Sequence, residues 1–382
     1  MEVEMDLLTL GVLGTSSKKN ESRLPIHPQH FKDIDEDLRE RIVLEHGYGL
    51  RFGFSDEHLT EYVGAVSTRE EVLEQADVIL LPKPLLSDLE GMRPGQVLWG
   101  WPHAVQDHDL TQVAIDRKLT LIAWEAMNHW TGKGEFGTHV FHRNNELAGY
   151  SSVLHALILQ GSTGHYGQRL RAVVIGFGST ARGAVTALQA FGISEITVLT
   201  SRVVTAVADP ISGIVLERME HSTVDPTLAV VQRSDGVVPI HEVLAEYDVV
   251  VNCVLQDTDH PMMFVTNADM SEFTTGSLIV DVSCDEAMGF EFAHPTSFDD
   301  PTFTVGDGVT YYAVDHSPTY LWNSATWDIS EALLPHLRTV MSGNWDASEI
   351  IARAVEIRDG VIQNPKILSF QGRGEKYPHP LL

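Results

Sequence analysis

The sequence has few cysteines, and it lacks the long apolar runs and basic stretches that mark several classes of protein. Two cysteines, Cys253 and Cys284, occur in 382 residues, which excludes a disulfide framework, and no ligand spacing typical of structural zinc is present. No apolar run approaches the ~18–20 residues that a membrane-spanning helix needs. Residues 1–6 are acidic and lack the basic and apolar regions of a secretory signal peptide. We therefore expect a cytoplasmic protein that does not bind membranes.

Acidic side chains greatly outnumber basic ones. There are 53 Asp and Glu residues against 26 Lys and Arg, which gives a net charge of −27 at pH 7. Nucleic acids and anionic membrane surfaces would be repelled by this charge, so neither is an expected partner. A local basic pocket can still lie inside an acidic surface, so the net charge does not exclude small anionic substrates. The length of 382 residues exceeds what one core usually supports and predicts two domains.

Segments typical of strands alternate with segments typical of helices along most of the chain. The strand candidates are residues 8–13, 41–44, 78–81, 97–99, 119–124, 172–175, 195–199, 248–252, 277–282 and 309–314. The helix candidates are residues 68–75, 107–116, 144–161, 181–191, 324–341 and 347–357. We expect outer loops and one helix over residues 203–239. The alternation predicts an α/β fold of two Rossmann-like domains with parallel sheets.

The helical tail indicates that the carboxyl end of the chain returns to the first domain. We therefore expect a discontinuous catalytic domain, residues 1–140 plus 318–382, with a cofactor domain, residues 141–317, inserted into it. The helix candidate at 144–161 has an apolar face and few charges. This pattern indicates burial beyond one domain and favours a homo-oligomer, a dimer or larger.

A glycine-rich turn lies between an apolar strand and a helix at residues 173–183 (VVIGFGSTARG). Such a turn binds the pyrophosphate of a dinucleotide, because the backbone approaches the phosphates and the first amides of the helix face them. Gly176 permits the tight turn and Gly178 the close approach, whereas Gly183 falls two places late and Ala181 takes the usual third position. The cofactor-binding candidates are Gly176, Gly178, Ser179, Thr180, Ala181, Gly183, Thr200, Ser201 and Arg202.

The choice between NADPH and NADH depends on residues 200–202 (TSR). An NAD site carries an acidic residue near this point for the ribose 2′-hydroxyl. Thr200 and Ser201 instead offer hydroxyls, and Arg202 offers a guanidinium, which together suit a 2′-phosphate. A solvated surface arginine is the alternative interpretation. We expect NADP(H), with NAD(H) as the less favoured cofactor.

Four ionisable residues follow predicted strands: Arg23, Lys83, His103 and Asp285. Ligands of open α/β sheets bind outside the carboxyl ends of the strands, so these residues could converge there. Arg23 and Lys83 can hold the carboxylate of an α-keto acid, and Lys83 can also polarise a carbonyl or carry protons. His103 suits acid/base chemistry in forming and dehydrating a carbinolamine, and Asp285 can stabilise an iminium. The alternatives are surface charges, a partly buried histidine and, for Asp285, a helix N-cap.

At these residues the sequence resembles the alanine dehydrogenase and transhydrogenase superfamily, and in particular its N5-(carboxyethyl)ornithine synthases, which are NADPH-dependent and form opines. The resemblance runs nearly end to end. It is carried by residues 21–25 (ESRLP), 98–103 (LWGWPH), 147–154 (LAGYSSVL), 176–183 (GFGSTARG), 278–285 (LIVDVSCD) and 311–319 (YYAVDHSPT).

The resemblance implies roles for the same four residues. Arg23 and Lys83 would take the family's carboxylate-binding positions, His103 would be the acid/base, and Asp285 would be the carboxylate beside the nicotinamide. It also implies a catalytic domain built from both chain ends, with a cleft towards the cofactor domain that closes on substrate.

The chain departs from alanine dehydrogenases at three places. Residues 200–202 replace the ribose-binding Asp, residues 286–291 (EAMGFE) replace a Gln-Gly-Gly, and His316 with Ser317 stands where an asparagine precedes Pro318. The last two departures weaken the case for ammonia as the amine. His316, Tyr320 and Trp322 could shape a substrate pocket for a larger amine, or they could be loop and helix packing.

We therefore predict an enzyme of amino acid metabolism, an NADPH-dependent oxidoreductase. It would condense an α-keto acid with the amine of an amino acid and reduce the imine to an opine-type secondary amine. The alternatives are reductive amination with ammonia, as in alanine dehydrogenases, and a saccharopine dehydrogenase-like reaction. A non-catalytic NADP(H)-binding module is a further alternative, which Lys83 and His103 disfavour because a pure binder needs no proton-transfer pair.

Overall fold

The computed structural model describes residues 7–201, 211–222, 225, 227–234, 236–256 and 261–382. The chain divides into two compact units. The bounds of unit 1 are Met1–Phe141 and Trp322–Leu382, and those of unit 2 are His142–Leu321. Unit 1 is thus built from both ends of the chain, and unit 2 is inserted between them.

The strands, in chain order, are β1 Leu10–Val12, β2 Ile42–Glu45, β3 Ala65–Ser67, β4 Val78–Leu80, β5 Val97–Gly100, β6 Thr120–Ala123, β7 Asn128–Trp130, β8 Phe136–His139, β9 Arg171–Ile175, β10 Glu195–Thr200, β11 Ile214–His221, β12 Ala229–Arg233, β13 Gly236–Pro239, β14 Val249–Asn252, β15 Met263–Val265, β16 Leu278–Asp281, β17 Gly289–Phe290, β18 Thr302–Val305, β19 Val309–Tyr312, β20 Val355–Arg358 and β21 Val361–Ile362.

The α-helices are α1 Glu36–Arg39, α2 Asp56–Leu59, α3 Arg69–Gln75, α4 Leu86–Glu90, α5 His108–Asp116, α6 His142–Gln160, α7 Ser179–Ala190, α8 Ile240–Leu244, α9 Trp322–Leu333, α10 Leu337–Met341, α11 Glu349–Ala354 and α12 Pro365–Gln371. Short 3-10 helices include Trp124–Ala126 and Ser317–Leu321. Among the described residues no helix combines the length and the apolar character that crossing a membrane would need.

The sheet of unit 1 has the strand order β21-β20-β6-β5-β4-β1-β2-β3. Strands β6 to β3 in this order are parallel, whereas β20 pairs antiparallel with β6. Successive side chains of a strand point to opposite faces, and both faces are buried here. In β5, Trp99 faces the core that also contains Ile329 of α9, and Leu98 faces the core that contains Leu110 of α5. Helices therefore cover this sheet on both sides.

The sheet of unit 2 has the strand order β13-β12-β11-β10-β9-β14-β16-β19-β18. Its central strands, β11 to β19 in this order, are parallel, and the strands at both edges are antiparallel. The two sheets confirm the predicted α/β class with Rossmann-like parallel sheets. They add antiparallel edge strands, which the alternation of segments does not reveal.

Helices α6 and α7 of unit 2 cross at a close approach made by two glycines. A Cβ at Gly149 would lie 1.9 Å from the carbonyl oxygen of Thr180, and a Cβ at Gly183 would lie 1.7 Å from that of Glu146. A side chain at either position would therefore force the helices apart. Gly183 is thus required for helix packing, and a role of Gly183 at the pyrophosphate stays a prediction.

Most predicted elements agree with the structure to within a few residues, but three regions differ. Residues 203–239 were expected to be loops and one helix, whereas the part the structure describes forms β11, β12 and β13. The helix candidate at 347–357 ends at Ala354 and continues as β20, because Val355 pairs with Ile122 of β6. The candidate at 324–341 is divided into α9 and α10 near Pro335, since proline removes a backbone donor.

Candidate active site

Lys83 and His103 lie side by side at the carboxyl edge of the unit 1 sheet. Lys83 follows β4 and His103 follows β5, its parallel neighbour. The Lys83 Nζ is 2.8 Å from the His103 Nε2. A lysine ammonium donates and cannot accept, so Nε2 accepts and the proton of the neutral imidazole lies on Nδ1. His103 has a φ of +49°, a left-handed conformation that turns its side chain back towards this edge.

Glu125, which follows β6, contacts His103 from the other side. Its Oε1 accepts the backbone N–H of His103 at 2.7 Å and lies 3.8 Å from the ring Nδ1. Burial, together with the nearby Glu356 carboxyl, raises the pKa of Glu125 to about 8, although the charge of Lys83 opposes this shift. Sequence reasoning missed Glu125. This residue nevertheless fits the rule that identified Lys83 and His103, which is that an ionisable residue follows a buried strand.

Arg23 is buried, and its side chain is held by Glu21. The guanidinium Nε donates to Glu21 Oε1 at 2.8 Å and Nη2 donates to Glu21 Oε2 at 2.6 Å. The guanidinium also lies over the Trp101 ring, 5.3 Å from its centroid. Glu21 therefore occupies the edge formed by Nε and Nη2, and a substrate carboxylate cannot bind to that edge. Substrate binding by Arg23 stays a prediction.

The loop after β1 is fixed to the strands that carry Lys83 and its neighbours. The backbone N–H groups of Gly14 and Thr15 donate to Glu45 Oε2 at 2.7 and 3.0 Å. Ser16 Oγ donates to the carbonyl oxygen of Lys83. These bonds connect the ends of β1, β2 and β4, so the carboxyl edge is held as one rigid surface.

A cavity of about 290 Å³ opens in unit 1 between the loops that follow β1 and β2. Ser16 and Glu21, two of its lining residues, are bonded to Lys83 and Arg23 respectively. Arg51 also lines it, with its guanidinium 5.3 Å from the centroid of the Trp322 ring. Arg51 is exposed, and within the described ranges it forms no ion pair. The cavity therefore offers a cation, and Ser16 connects its wall to the backbone of Lys83.

In unit 2 the glycine-rich turn has the backbone that a pyrophosphate requires. Gly176 has a φ of +97°, and Gly178 is the N-cap of α7. A Cβ built at Gly178 would meet no described atom within 4 Å, so space is open at the helix start. The α7 amino terminus presents backbone donors and the positive end of its dipole. Gly178, Ser179 and Thr180 therefore fit a dinucleotide, whereas Ala181 is fully buried in the α7 core.

The residues predicted to select the cofactor lie at the end of β10. Thr200 is its last residue and is buried, and Ser201 is exposed. Arg202 lies outside the described residues. The role of residues 200–202 therefore stays a prediction.

Asp285 lies on a loop that a buried carboxyl holds in place. Asp281, at the end of β16, accepts from Asn252 Nδ2 at 2.9 Å, from the Tyr311 hydroxyl at 2.5 Å and from the Cys284 N–H at 3.1 Å. Burial raises the pKa of Asp281 to about 6, and it raises the pKa of Asp285 as well. No helix begins after Asp285, so the N-cap alternative does not apply to this described segment.

His316 is buried in unit 2 against an aromatic cluster. Its ring lies 5.3 Å from that of Phe298, which stacks on Tyr320 at 6.2 Å. Trp322 belongs to unit 1, where it packs edge-to-face on Phe52 at 5.0 Å. Each of the three residues thus has packing contacts within its own unit, and a role of His316 in substrate binding stays a prediction.

Two features define the class of protein to which this chain belongs. Unit 2 carries a glycine-rich turn that suits a dinucleotide, and unit 1 carries a lysine–histidine pair. The chain has the design of a nucleotide-dependent oxidoreductase.

The comparisons with known proteins give the family. The model of the N-terminal domain of alanine dehydrogenase/PNT matches residues 13–135, and that of the C-terminal domain matches residues 161–365. The chain belongs to this family, which confirms the resemblance seen in the sequence. It is an oxidoreductase that uses a nicotinamide cofactor and acts on amino-group substrates.

Similar proteins carry two different names. The chain is 23% identical over 328 residues to an N(5)-(carboxyethyl)ornithine synthase of Clostridium botulinum, covering 83% of this chain and 90% of the relative. It is 22% identical over 371 residues to an alanine dehydrogenase of Mycobacterium tuberculosis, covering 94% and 95%.

Solved structures agree on the fold. An L-alanine dehydrogenase aligns with a TM-score of 0.73 at 20% identity, covering 95% of this chain and 99% of that one. A transhydrogenase from Sinorhizobium meliloti aligns with a TM-score of 0.70 at 19% identity, covering 94% and 99%. At these identities the likeness shows the fold alone.

Proposed function

We propose that the protein is an NADPH-dependent reductase that condenses an α-keto acid with the amine of an amino acid and reduces the imine to an opine-type secondary amine. The observation that carries this proposal is the contact of 2.8 Å between Lys83 Nζ and His103 Nε2. An imine-forming enzyme must move protons from the amine nitrogen to the keto oxygen, and this pair can do so at the carboxyl edge of the sheet.

The reaction balances as a condensation followed by a reduction. The amine nitrogen adds to the keto carbon, the carbinolamine loses water, and the resulting iminium carbon takes a hydride. When bound, the cofactor supplies this hydride. Lys83 donates a hydrogen bond to the keto oxygen, and the neutral His103 takes the proton that the amine nitrogen loses and passes it to that oxygen, which leaves as water. Asp285, on the unit that carries the glycine-rich turn, is proposed to stabilise the iminium charge.

The cavity lined by Ser16 and Arg51 favours an amine larger than ammonia. Ammonia needs no recognition beyond the reacting centre, whereas a space of about 290 Å³ with Arg51 at its wall can hold an amino acid by its carboxylate. Arginine is suited to this role because its planar guanidinium binds a carboxylate with two hydrogen bonds. We propose that Arg51 binds the carboxylate of the amine donor and that Arg23 and Lys83 bind that of the keto acid.

The proposed preference for NADPH rests on residues 200–202. Thr200 and Ser201 carry hydroxyls at the end of β10, where a carboxylate would be needed for NAD. With Arg202 they would take the 2′-phosphate.

Initial rates over a matrix of substrates test the proposal. NADPH or NADH oxidation is followed with pyruvate, glyoxylate, oxaloacetate or 2-oxoglutarate, each paired with ammonia, ornithine, lysine or other amino acids. We expect NADPH oxidation that requires an amino acid. Turnover with ammonia as the only amine would instead identify alanine dehydrogenase activity, and no oxidation with any pair would favour a binding module.

A further inference from the structure

A second pair of ionisable groups, Glu125 and Glu356, lies behind His103 in unit 1. Glu125 follows β6, and Glu356 lies on β20, which pairs antiparallel with β6 at Val355 and Ile122. Residues from both ends of the chain thus bring two carboxyls together. Glu356 is 4% exposed. The Glu125 side chain is 26% exposed to solvent, but its Oε2 atom is buried.

The hydrogen bonds of the two carboxyls leave one oxygen of each without a partner. Glu125 Oε1 accepts from the His103 backbone N–H at 2.7 Å, and Glu356 Oε1 accepts from Asn364 Nδ2 at 2.9 Å. Both Oε2 atoms are buried, and neither has a hydrogen-bond partner in the described part of the chain. A buried oxygen without a donor is unfavourable, and the negative charge of an ionised Glu356 would also act against ionisation of Glu125. One proton between the two Oε2 atoms would satisfy both oxygens and remove the repulsion.

We propose that Glu125 and Glu356 share a single proton at neutral pH, held between their Oε2 atoms, and that Glu356 thereby acts as a positioning residue for His103. The inference rests on the geometry of unit 1 and not on the proposed substrates. The pKa values of the two carboxyls agree with this proposal. Burial raises the pKa of Glu125 to about 8 and that of Glu356 to about 7.

Other groups around the pair have limited influence on its proton. Lys83 acts on Glu125 from β4 and lowers its pKa, a smaller effect than burial. His139, on β8, contacts the backbone carbonyl of Glu125, with its Nε2 at 3.3 Å. On the side of Glu356, Asn364 donates one hydrogen bond and lowers its pKa. His103 itself lies 3.8 Å from Glu125 Oε1 through Nδ1.

The shared proton affects the charge of His103. A fully ionised Glu125 would stabilise the imidazolium form of His103, and a protonated Nε2 could no longer accept the hydrogen bond of Lys83. With the proton shared, the pair carries one negative charge spread over two carboxyls, and the neutral imidazole persists to lower pH. Removing Glu356 should therefore lower the pKa of Glu125 and raise that of His103.

The pH dependence of thermal unfolding tests the shared proton without any substrate. Both folded pKa values lie above the ordinary value of 4.5, so the pair stabilises the folded chain below about pH 4.5 and this contribution is lost as pH rises to about 8. We expect the melting temperature of Glu356→Gln to fall less than that of the wild type between pH 5 and 8.5. Glu70→Gln, which changes an exposed carboxyl on α3, should follow the wild type.

A second variant keeps the test decisive if Glu356→Gln does not fold. Glu125→Gln removes the other half of the pair and should flatten the same curve. Where activity is measurable, the limb of the pH–rate profile that reports His103 should move upward by about one pH unit in Glu356→Gln. Melting curves of the folded variants that run parallel to the wild type from pH 5 to 8.5 would overturn the proposal, whatever reaction the enzyme catalyses.

Discussion

Lys83 Nζ and His103 Nε2 are 2.8 Å apart at the ends of two adjacent parallel strands. The contact fixes the tautomer of His103, because the ammonium must donate and the ring nitrogen must accept. The proposed reaction needs one group that polarises the keto oxygen and one that transfers a proton to it. We propose Lys83 for the first task and His103 for the second.

Loss of either member of this pair should abolish most of the activity. We expect Lys83→Met and His103→Gln each to lower kcat by on the order of 10²-fold or more, since general acid–base groups contribute effects of this size. Initial-rate measurements of NADPH oxidation check this. Lys133→Met, which changes an exposed lysine between β7 and β8, is the matched control and should keep the wild-type rate. Wild-type rates in both site variants would remove the pair from the mechanism.

The two glycines of α7 should respond differently to a side chain. Gly178→Val has open space and an extended backbone, so the protein should fold, but the side chain would obstruct the phosphates. We expect NADPH affinity, measured by fluorescence titration, to fall at least about 10-fold. Gly183→Ala would place a Cβ 1.7 Å from the Glu146 carbonyl oxygen, and we expect a loss of about 1–3 kcal/mol in the free energy of unfolding. Equal NADPH affinity in Gly178→Val and the wild type would contradict the assignment of the turn.

The buried carboxyl of Asp281 should make stability depend on pH. Its folded pKa of about 6 exceeds the ordinary 3.8, so it stabilises the folded chain below about pH 3.8 and this contribution is lost as pH rises through 6. Asp281→Asn cannot lose a proton, so we expect its unfolding free energy to vary less over pH 4–7, by on the order of 1–3 kcal/mol. Urea unfolding at several pH values measures this. The idea fails if the variant and the wild type show the same pH dependence.

Replacing Arg51 should weaken binding of the amine donor and leave binding of the keto acid unchanged. A charged hydrogen-bond pair contributes about 1.5–3 kcal/mol, so Arg51→Met should raise the KM for the amino acid about 10-fold or more. The KM for the keto acid should change little. Arg338→Met, which changes an exposed arginine of unit 1 paired with Asp35 and Asp37, serves as the control. A rise in the KM for the keto acid alone would contradict this role and would indicate that Arg51 binds the keto acid instead.

The sequence was sufficient to predict that Lys83 and His103 could converge at one edge of the sheet, because both follow apolar strands. This prediction needs only the residue type and its position after a strand, both of which are read from consecutive residues. Glu125 obeys the same rule after β6, and applying the rule to that strand would have found it. The glycine turn was equally local, since a strand, a glycine pair and a helix start are read from consecutive residues.

Features that depend on distant partners could not be predicted in this way. Glu356 was placed in a helix candidate because β20 exists only through pairing with β6, more than 200 residues earlier. The packing role of Gly183 depends on Glu146 of another helix. Strand β11 was missed because its sequence, IVLERMEH, has no regular alternation of apolar and charged residues.

The identity of the product tests the central claim most directly. The enzyme is incubated with NADPH, an α-keto acid and an amino acid, and the product is analysed by mass spectrometry with ¹⁵N-labelled amine. The account predicts a secondary amine that contains both carbon skeletons and the labelled nitrogen, formed with NADPH oxidised in equal amount. A primary amino acid formed from the keto acid and ammonia, with no condensation product from any amino acid, would contradict it.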